Sequence, residues 1–256
     1  MKEDSTISLK KKLPSDTVPY LIAVYLGFCT LSTWNAILAT MDFFHEYQKD
    51  YNPEFNYTLF YTILNFLFQL GLVYWGNRFT YKFQLVISAI ATPLVFGCVP
   101  FAVIYLDGAK SFIVSGLLIA LQGLFVAILT GSVYGLCGFL PSKYIIGVSS
   151  GAGICGLIIN VIRYIITFTY GVENDRDSIT AISVWFFAIC VVLIISSVFM
   201  LPFLFGHPVF KLFFYKSGEV SKEEYEEILS EYEVQEFLAL HSDHSVDELN
   251  DRDTDK

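Results

Sequence analysis

Residues 151–156 read GAGICG and match the G-x-G-x-x-G pattern of a dinucleotide-binding loop. Glu173 and Asp175 follow at about the 20-residue distance where such folds place a carboxylate for the ribose. A phosphate loop of this kind follows a strand, opens an amphipathic helix and lies in water. Here the next 14 residues read LIINVIRYIITFTY, which is apolar at all but a few positions. The context therefore argues against a nucleotide loop and favours a membrane helix whose small residues admit a close neighbour.

Glycines recur at helical spacing in this segment and in the apolar run before it. Gly147 and Gly151 form a small-xxx-small pair, which lets two membrane helices approach closely. The residues predicted to serve such contacts are Gly131, Gly135, Gly147, Gly151, Gly153 and Gly156. Because both consecutive runs carry glycines, we expect the two to pack closely against each other.

The composition is that of a membrane protein. Hydrophobic residues make up 54% of the 256 residues and charged residues 16%, against about 25% charged in soluble domains. Six apolar runs reach the roughly 20 residues that a helix needs to cross the hydrocarbon core. They cover residues 20–44, 59–76, 83–106, 111–139, 145–170 and 179–205. The predicted fold is an all-α polytopic membrane protein with six transmembrane helices in the lipid bilayer.

The placement of lysine and arginine predicts the orientation, because cytoplasmic loops carry an excess of both. With the N-terminus in the cytoplasm, nine of these residues lie near span ends on that side and three on the other. Both termini are then cytoplasmic, and we expect the plasma membrane as the location. The NYT sequon at Asn56 then lies in the first outer loop, where it can accept a glycan.

Motifs of enzymes and of nucleic-acid-binding proteins are absent from the sequence. It contains no H-E-x-x-H and no G-x-S-x-G, and its four histidines lie near or beyond the span ends rather than among acids. No basic aromatic surface points to nucleic acid, and no metal-ligand spacing accompanies the cysteines. We therefore predict neither an enzyme nor a cofactor.

Two stretches resemble the equilibrative nucleoside transporters in several motifs and in their order. In and just before the first span, the matching residues are Pro14, Asp16, Gly27, Thr30, Leu31, Trp34 and Asn35. In the fourth and fifth spans they are Gly131, Ser132, Gly135, Leu136, Pro141, Tyr144, Ser150, Gly151, Gly153 and Gly156. The resemblance covers about residues 14–206 and implies a helical carrier related to the major facilitator architecture, of which six spans are present.

The resemblance implies passive movement of nucleosides or nucleobases, which lie between two helical halves in family members. An aspartate and an arginine of the eighth span hold much of the polar recognition there, and no residue of this chain corresponds to them. The chain therefore resembles an N-terminal half, and a missing C-terminal half or a second transporter chain is the expected partner. The alternative is a six-span scaffold protein derived from such a carrier, which binds a partner without transporting.

Trp34, Leu31 and Thr130 are expected at the substrate. The resemblance makes Trp34 a wall of the central cavity, and an indole offers a nucleobase a flat apolar face and one N–H donor. Leu31 lies three residues earlier on the same helical face. Thr130 stands where the family commonly has a nucleoside-contacting glutamine, so a shorter hydroxyl replaces an amide. Either this hydroxyl alters the substrate range or uses a bridging water, or it bonds to its own helix backbone.

Arg163, a further candidate substrate-binding residue, lies well inside the fifth span, where a charge costs at least about 2.5 kcal/mol unless it is paired or wet. It should face the bundle or a cavity, with Asn65, Gln69, Asn160 or a substrate as its partner. We predict that Asp42, near the outer end of the first span, reaches headgroup water. An ion pair between the two charges, acting as an outer gate, is the less favoured alternative.

The predicted organisation has three parts. Residues 1–18 form a cytoplasmic segment, 19–206 the six-span bundle, and 207–256 an acidic cytoplasmic tail that holds most of the chain's acids. Within the tail, Ser221 and Glu224 form a capping box before helically spaced apolar residues. One short helix followed by disorder is expected there, either as a solvated loop helix or as a docking segment.

Overall fold

The computed structural model describes residues 17–138, 140–171, 175–207 and 210, apart from the side chain of Asn77. The predicted cytoplasmic segment lies almost wholly outside these residues, and so does the predicted tail helix. Thr17–Phe210 forms one compact unit, and it is this unit that carries the candidate site.

Seven α-helices make up the described part of the chain, and no β-strand occurs in that part. The long helices are α1 (Thr17–Ala39), α3 (Pro53–Trp75), α4 (Tyr81–Tyr105), α5 (Gly108–Gly138), α6 (Ser142–Tyr170) and α7 (Arg176–Gly206). Each of these six is long and apolar enough to cross a membrane. The short helix α2 (Met41–Gln48) follows α1 directly. The all-α polytopic fold with six spans is confirmed.

The GAGICG segment lies in the middle of α6, as the membrane interpretation requires. Asp175, at the distance expected for a ribose-binding carboxylate, is instead the N-cap of α7. Its side chain accepts a hydrogen bond from the backbone N–H of Ser178 at 3.0 Å. Hydrogen bonding from the Ser178 side chain, and then from its backbone N–H, stabilises the ionised form and lowers the pKa of the Asp175 carboxyl below its ordinary value. The carboxylate therefore serves the start of a helix, where the helix dipole favours a negative charge.

The first apolar run is interrupted at Thr40, which corrects the predicted span of 20–44. Thr40 leaves the helical conformation, and its hydroxyl donates to the backbone carbonyls of Ala36 at 2.9 Å and Ile37 at 3.1 Å. The chain then turns into α2, whose Phe43 and Phe44 are fully buried in the core. The apolar pattern continued past Thr40 because these two rings pack into the core of the bundle rather than extend the span.

A buried polar cluster fixes α2 to its neighbours. Gln48, the last residue of α2, donates from Nε2 to the hydroxyls of Ser111 at 2.7 Å and Ser115 at 3.2 Å, both on α5. Its Oε1 accepts from the hydroxyl of Tyr57 on α3. Buried amides are tolerated only when they are hydrogen-bonded in this way. The cluster therefore joins α2, α3 and α5 at one end of the bundle.

Gly147, Gly151 and Gly156 of α6 face α1, and α1 and α6 form the most extensive helix pairing among the described residues. A methyl group at Gly151 would fall on the backbone carbonyl oxygen of Val24, and one at Gly27 would fall on that of Val148. At Gly147 the nearest atom would be Cε2 of Tyr20, at 3.1 Å. The prediction that α5 and α6 are each other's close partner is therefore wrong, although the two helices do touch.

The remaining glycines divide into those with a close neighbour and those without. On α5, a methyl group at Gly131 would lie 3.0 Å from Leu72, and one at Gly135 would lie 3.1 Å from Tyr81. On α6, a methyl group at Gly156 would lie 3.4 Å from Oδ1 of Asn35. For Gly153, no atom of another element in the described part of the chain lies within 4 Å. The α5 glycines thus serve contacts with α3 and the start of α4.

Candidate functional site

Trp34 lies in the last two turns of α1, and one face of its indole rests on Tyr61 of α3. The two ring centroids are 4.3 Å apart and the planes differ by 19°, a stacked geometry that aromatic pairs favour. Tyr61 is buried, whereas Trp34 is partly exposed. Within the described residues the indole N–H has no hydrogen-bond partner. Trp34 is therefore held from one side and keeps a free edge and a free donor.

Leu31 and Asn35 extend the same surface along α1. Leu31 is 38% exposed, a large fraction for a leucine in the middle of a bundle helix. Asn35 is partly exposed and donates from Nδ2 to the carbonyl of Leu31 at 3.0 Å. Leu31 therefore lies about one turn before Trp34 on α1, as predicted.

Four helices share this surface. Trp34 connects α1 to α3, Asn35 lies beside Gly156 of α6, and the hydroxyls of Tyr134 on α5 and Ser149 on α6 are 3.5 Å apart. We call this surface the open face; its members are partly or largely exposed and lie on α1, α3, α5 and α6. They are Leu31, Trp34, Asn35, Asn65, Gln69, Thr130, Tyr134, Ser149 and Asn160.

The open face is unusually polar for a membrane helix bundle. Four of its members are amides, and every one lies in a helix long and apolar enough to span the membrane. An amide exposed to hydrocarbon loses the hydrogen bonds that water would provide. Polar side chains in membrane helices accordingly face a protein partner or a water-filled cavity. The open face is thus the side of the bundle that is suited to a polar ligand or a second bundle.

Thr130 lies in a pocket of about 360 Å3 between α3 and α5. The pocket is also lined by Gln69 on α3, Gln84 on α4 and Tyr134 on α5. Among the described residues no hydrogen bond joins the Thr130 hydroxyl to its own helix backbone, so the structure gives that alternative no support. Whether that hydroxyl contacts a substrate stays a prediction.

Arg163 is buried and has three partners. Its guanidinium donates to Oδ2 of Asp42 at 2.7 Å and to the hydroxyl of Ser183 at 3.2 Å. It also lies 5.4 Å from the ring centre of Phe186, within range of a cation–π contact. The partners considered from the sequence, Asn65, Gln69 and Asn160, are not the ones it uses. A contact of Arg163 with substrate stays a prediction.

The ion pair that the sequence analysis considered less favoured is therefore formed. The pair joins α2 to α6, and the hydrogen bond from Arg163 to Ser183 adds α7. The Asp42 side chain is still 53% exposed, against 11% for Arg163. The prediction that Asp42 reaches headgroup water did not include this pairing, since the carboxylate is half exposed and also bound to Arg163.

Two residues of the site were not found from the sequence. Tyr61 supports Trp34, and Tyr134 lines the Thr130 pocket. A signal for Tyr61 existed, because Tyr61, Asn65 and Gln69 follow one another at intervals of four and so lie on one face of α3. The same interval separates Thr130 from Tyr134 on α5. These two polar stripes were hidden by the apolar residues around them.

The comparison with known families adds to this geometry. The profile of the family described as "Nucleoside transporter" matches residues 117–252, more than half of the chain. The chain belongs to the nucleoside transporter family. In this nucleoside transporter family chain, the four-helix open face is the candidate functional site.

Relatives among characterised proteins carry related names. Equilibrative nucleotide transporter 7 of Arabidopsis thaliana is 22% identical over 219 residues, which are 82% of this chain and 51% of that protein. Equilibrative nucleotide transporter 1 of the same plant is 25% identical over 199 residues, 74% of this chain and 44% of its own length. This member of the nucleoside transporter family thus spans about half the length of the curated relatives it matches.

Proposed function

We propose that the chain provides one half of an equilibrative carrier for nucleosides or nucleobases. Membership of the nucleoside transporter family supports this, as does the match to only about half the length of its relatives. Its partner would be a second helical bundle, either a C-terminal half or another transporter chain. Movement of substrate down its gradient requires no chemistry, so the proposal includes no enzyme activity and no cofactor.

The observation that carries the proposal is Trp34 on the open face. A nucleobase presents a flat π surface, and an indole fixed by stacking on Tyr61 is a rigid apolar wall for it. Leu31 adds apolar contact beside it, and the nearby amides can pair with polar atoms of the base or the sugar. A carrier needs such contacts on a surface that a second bundle can cover and uncover.

Alternating access is the proposed mechanism. In carriers built from two bundles, each bundle moves largely as a rigid body around a substrate site at their interface. The close pairing of α1 with α6 and the cluster around Gln48 favour such rigidity in this bundle. We propose the bundle as residues 19–206, with residues 1–18 and 207–256 as cytoplasmic segments.

Trp34→Ala is expected to raise the KM for nucleoside uptake about tenfold, which corresponds to roughly 1.4 kcal/mol of lost binding. Uptake of labelled adenosine and uridine would be measured with the full-length natural protein in cells that lack their own nucleoside carriers. Trp34→Phe keeps a flat ring and should recover much of the loss.

Trp185→Ala is the matched control for this test. Trp185 is also exposed, at 54%, but lies on α7, which contributes nothing to the open face. Equal uptake by wild type and Trp34→Ala at equal surface expression would contradict the proposed site. A wild-type protein that transports neither nucleoside yet copurifies with a membrane partner would favour the scaffold alternative instead.

Glycosylation of Asn56 tests the proposed orientation, in which both termini lie in the cytoplasm and the protein is in the plasma membrane. Asn56 lies in the first turn of α3, and its Nδ2 donates to the carbonyl of Tyr51 at 2.7 Å. A glycosylated amide keeps one N–H, so this bond is compatible with a glycan. We expect a deglycosidase to increase the gel mobility of wild type and not that of Asn56→Gln. An unchanged wild-type mobility would argue against use of the sequon.

A further inference from the structure

Gln69 is an exposed amide in the last third of α3, and it lines the same pocket as Thr130. The pocket volume of about 360 Å3 falls within the ~300–1,000 Å3 range of small-molecule sites. Small-molecule sites combine apolar walls with a few polar groups that fix the orientation of the ligand. Gln69 is placed to be one of these groups, and its neighbours determine what it offers.

The hydrogen bonds around Gln69 fix the direction of its amide. The backbone carbonyl of Gly123 can only accept, so Asn65 turns its Nδ2 toward that oxygen, at 3.0 Å. Oδ1 of Asn65 then faces Gln69 and accepts from its Nε2 at 2.9 Å. The carbonyl of Gly123 thereby sets the orientation of both amides.

This arrangement leaves half of the Gln69 amide without a partner. An amide has two N–H donors and an oxygen that accepts, and Asn65 uses one donor only. Within the described residues, Oε1 and the second N–H of Gln69 make no hydrogen bond. Both belong to the same planar amide, so the group still offers one acceptor and one donor to a ligand. Nucleobase edges carry the complementary pattern, and a glutamine amide pairs with such an edge through two bonds.

We propose that Gln69 recognises the base of the substrate through two hydrogen bonds from its amide and thereby sets the specificity for nucleobases. The Thr130 hydroxyl contacts the ligand from α5, on the other wall of the pocket. Asn65 is a positioning residue that acts through Gln69. This inference rests on the proposed function, because it assigns the base-recognising part of the same substrate site.

The test compares nucleosides that differ by one hydrogen-bonding atom of the base. In the full-length natural protein, adenosine, 1-deazaadenosine and 7-deazaadenosine would compete with labelled adenosine uptake. Uridine and 3-deazauridine would compete with labelled uridine. We expect wild type to prefer a parent nucleoside over one of its deaza analogues about tenfold. Gln69→Leu should weaken the parent, which loses two hydrogen bonds, more than that analogue, which loses one, and so remove most of the preference.

Three further variants separate recognition from a structural effect. Asn65→Leu should lower the preference by about threefold without changing kcat. Thr130→Gln placed in Gln69→Leu should restore part of the preference, because it returns an amide to the same pocket. Leu70→Ala changes an exposed apolar neighbour on α3 and should leave the preference unchanged.

The outcomes distinguish this inference from the function on which it rests. If wild type transports nucleosides but Gln69→Leu weakens parent and analogues equally, or changes neither, the role of Gln69 is overturned and the carrier function stands. If wild type takes up neither nucleoside at normal surface expression, both proposals are overturned. Loss of the preference in Gln69→Leu, with the preference unchanged in Leu70→Ala, supports both proposals.

Discussion

Gly151→Ala is expected to lower the free energy of unfolding of the bundle by about 1–3 kcal/mol, the usual cost of overpacking. The added methyl group would fall on the backbone carbonyl oxygen of Val24. A side chain in that place could rotate away, but a backbone oxygen moves only if α1 itself moves. Because α1 and α6 form the most extensive helix pairing of the bundle, the cost cannot be absorbed locally.

Gly153→Ala is a closely matched control. It adds the same methyl group two residues later on the same helix, where no atom of another element in the described region lies within 4 Å. It also replaces a helical glycine, which should stabilise α6 by about 0.5–1 kcal/mol. The melting temperature of the purified protein in detergent should therefore fall in Gly151→Ala and rise in Gly153→Ala.

The effect of Gly151→Ala should extend to transport. Trp34 belongs to the helix that has to move, so a displaced α1 changes the position of the indole on the open face. We expect uptake to fall in Gly151→Ala more than protein amount at the surface does. Gly27→Ala should behave similarly, because its methyl group would fall on Val148 from the other side of the contact. Unchanged melting of both variants would show that α1 and α6 are not in tight contact in the membrane.

The spans themselves were predictable from the sequence, because a long apolar run indicates directly that a segment lies in the hydrocarbon core of the membrane. Length and apolar composition are local properties, and six long apolar runs became six long helices. The break at Thr40 was not predictable in this way. Phe43 and Phe44 are apolar whether they continue a span or fold back into the core, so the run of hydrophobic residues carries no signal of the turn.

Helix partners were harder to predict than helices. The glycines of α6 showed correctly that a neighbour comes close, but they do not say which helix it is. Sequence order suggested α5, whereas the structure brings α1 to that surface from more than 100 residues away. The partner of Arg163 was missed for the same reason, since Asp42 lies 121 positions earlier and in a helix that hydropathy did not separate from α1.

The candidate site was predicted in part. Trp34 was selected through the family resemblance, which the flat face and N–H donor of an indole support, and in the structure that donor has no partner among the described residues. The polar stripe of Tyr61, Asn65 and Gln69 carries a helical period that can be read from the sequence. Its meaning depends on exposure, however, and the sequence does not distinguish a polar stripe at a helix contact from one that faces a cavity.

The Asp42–Arg163 ion pair gives the second large effect, and we expect it to be asymmetric. Asp42→Asn removes the countercharge of a buried guanidinium and leaves it with Ser183 and the ring of Phe186. Removing one partner of a buried pair costs about 3–5 kcal/mol, and the partly exposed site points to the lower end of that range. Arg163→Met fills the buried volume with an uncharged chain and leaves Asp42, 53% exposed, to water. Its cost should be about 1 kcal/mol or less.

The double variant provides the decisive comparison. Once Arg163→Met has removed the buried cation, the Asp42→Asn substitution has no charge left to expose, so the double variant should be about as stable as Arg163→Met alone. Thermal unfolding of wild type, the two single variants and the double variant in detergent gives the coupling between the residues. Rescue of Asp42→Asn by Arg163→Met would show that the buried guanidinium is what makes the loss costly. The opposite result would be that the two single variants lose equal free energy of unfolding and that these losses add in the double variant. The residues would then not be coupled, and the pair would not hold α2 against α6.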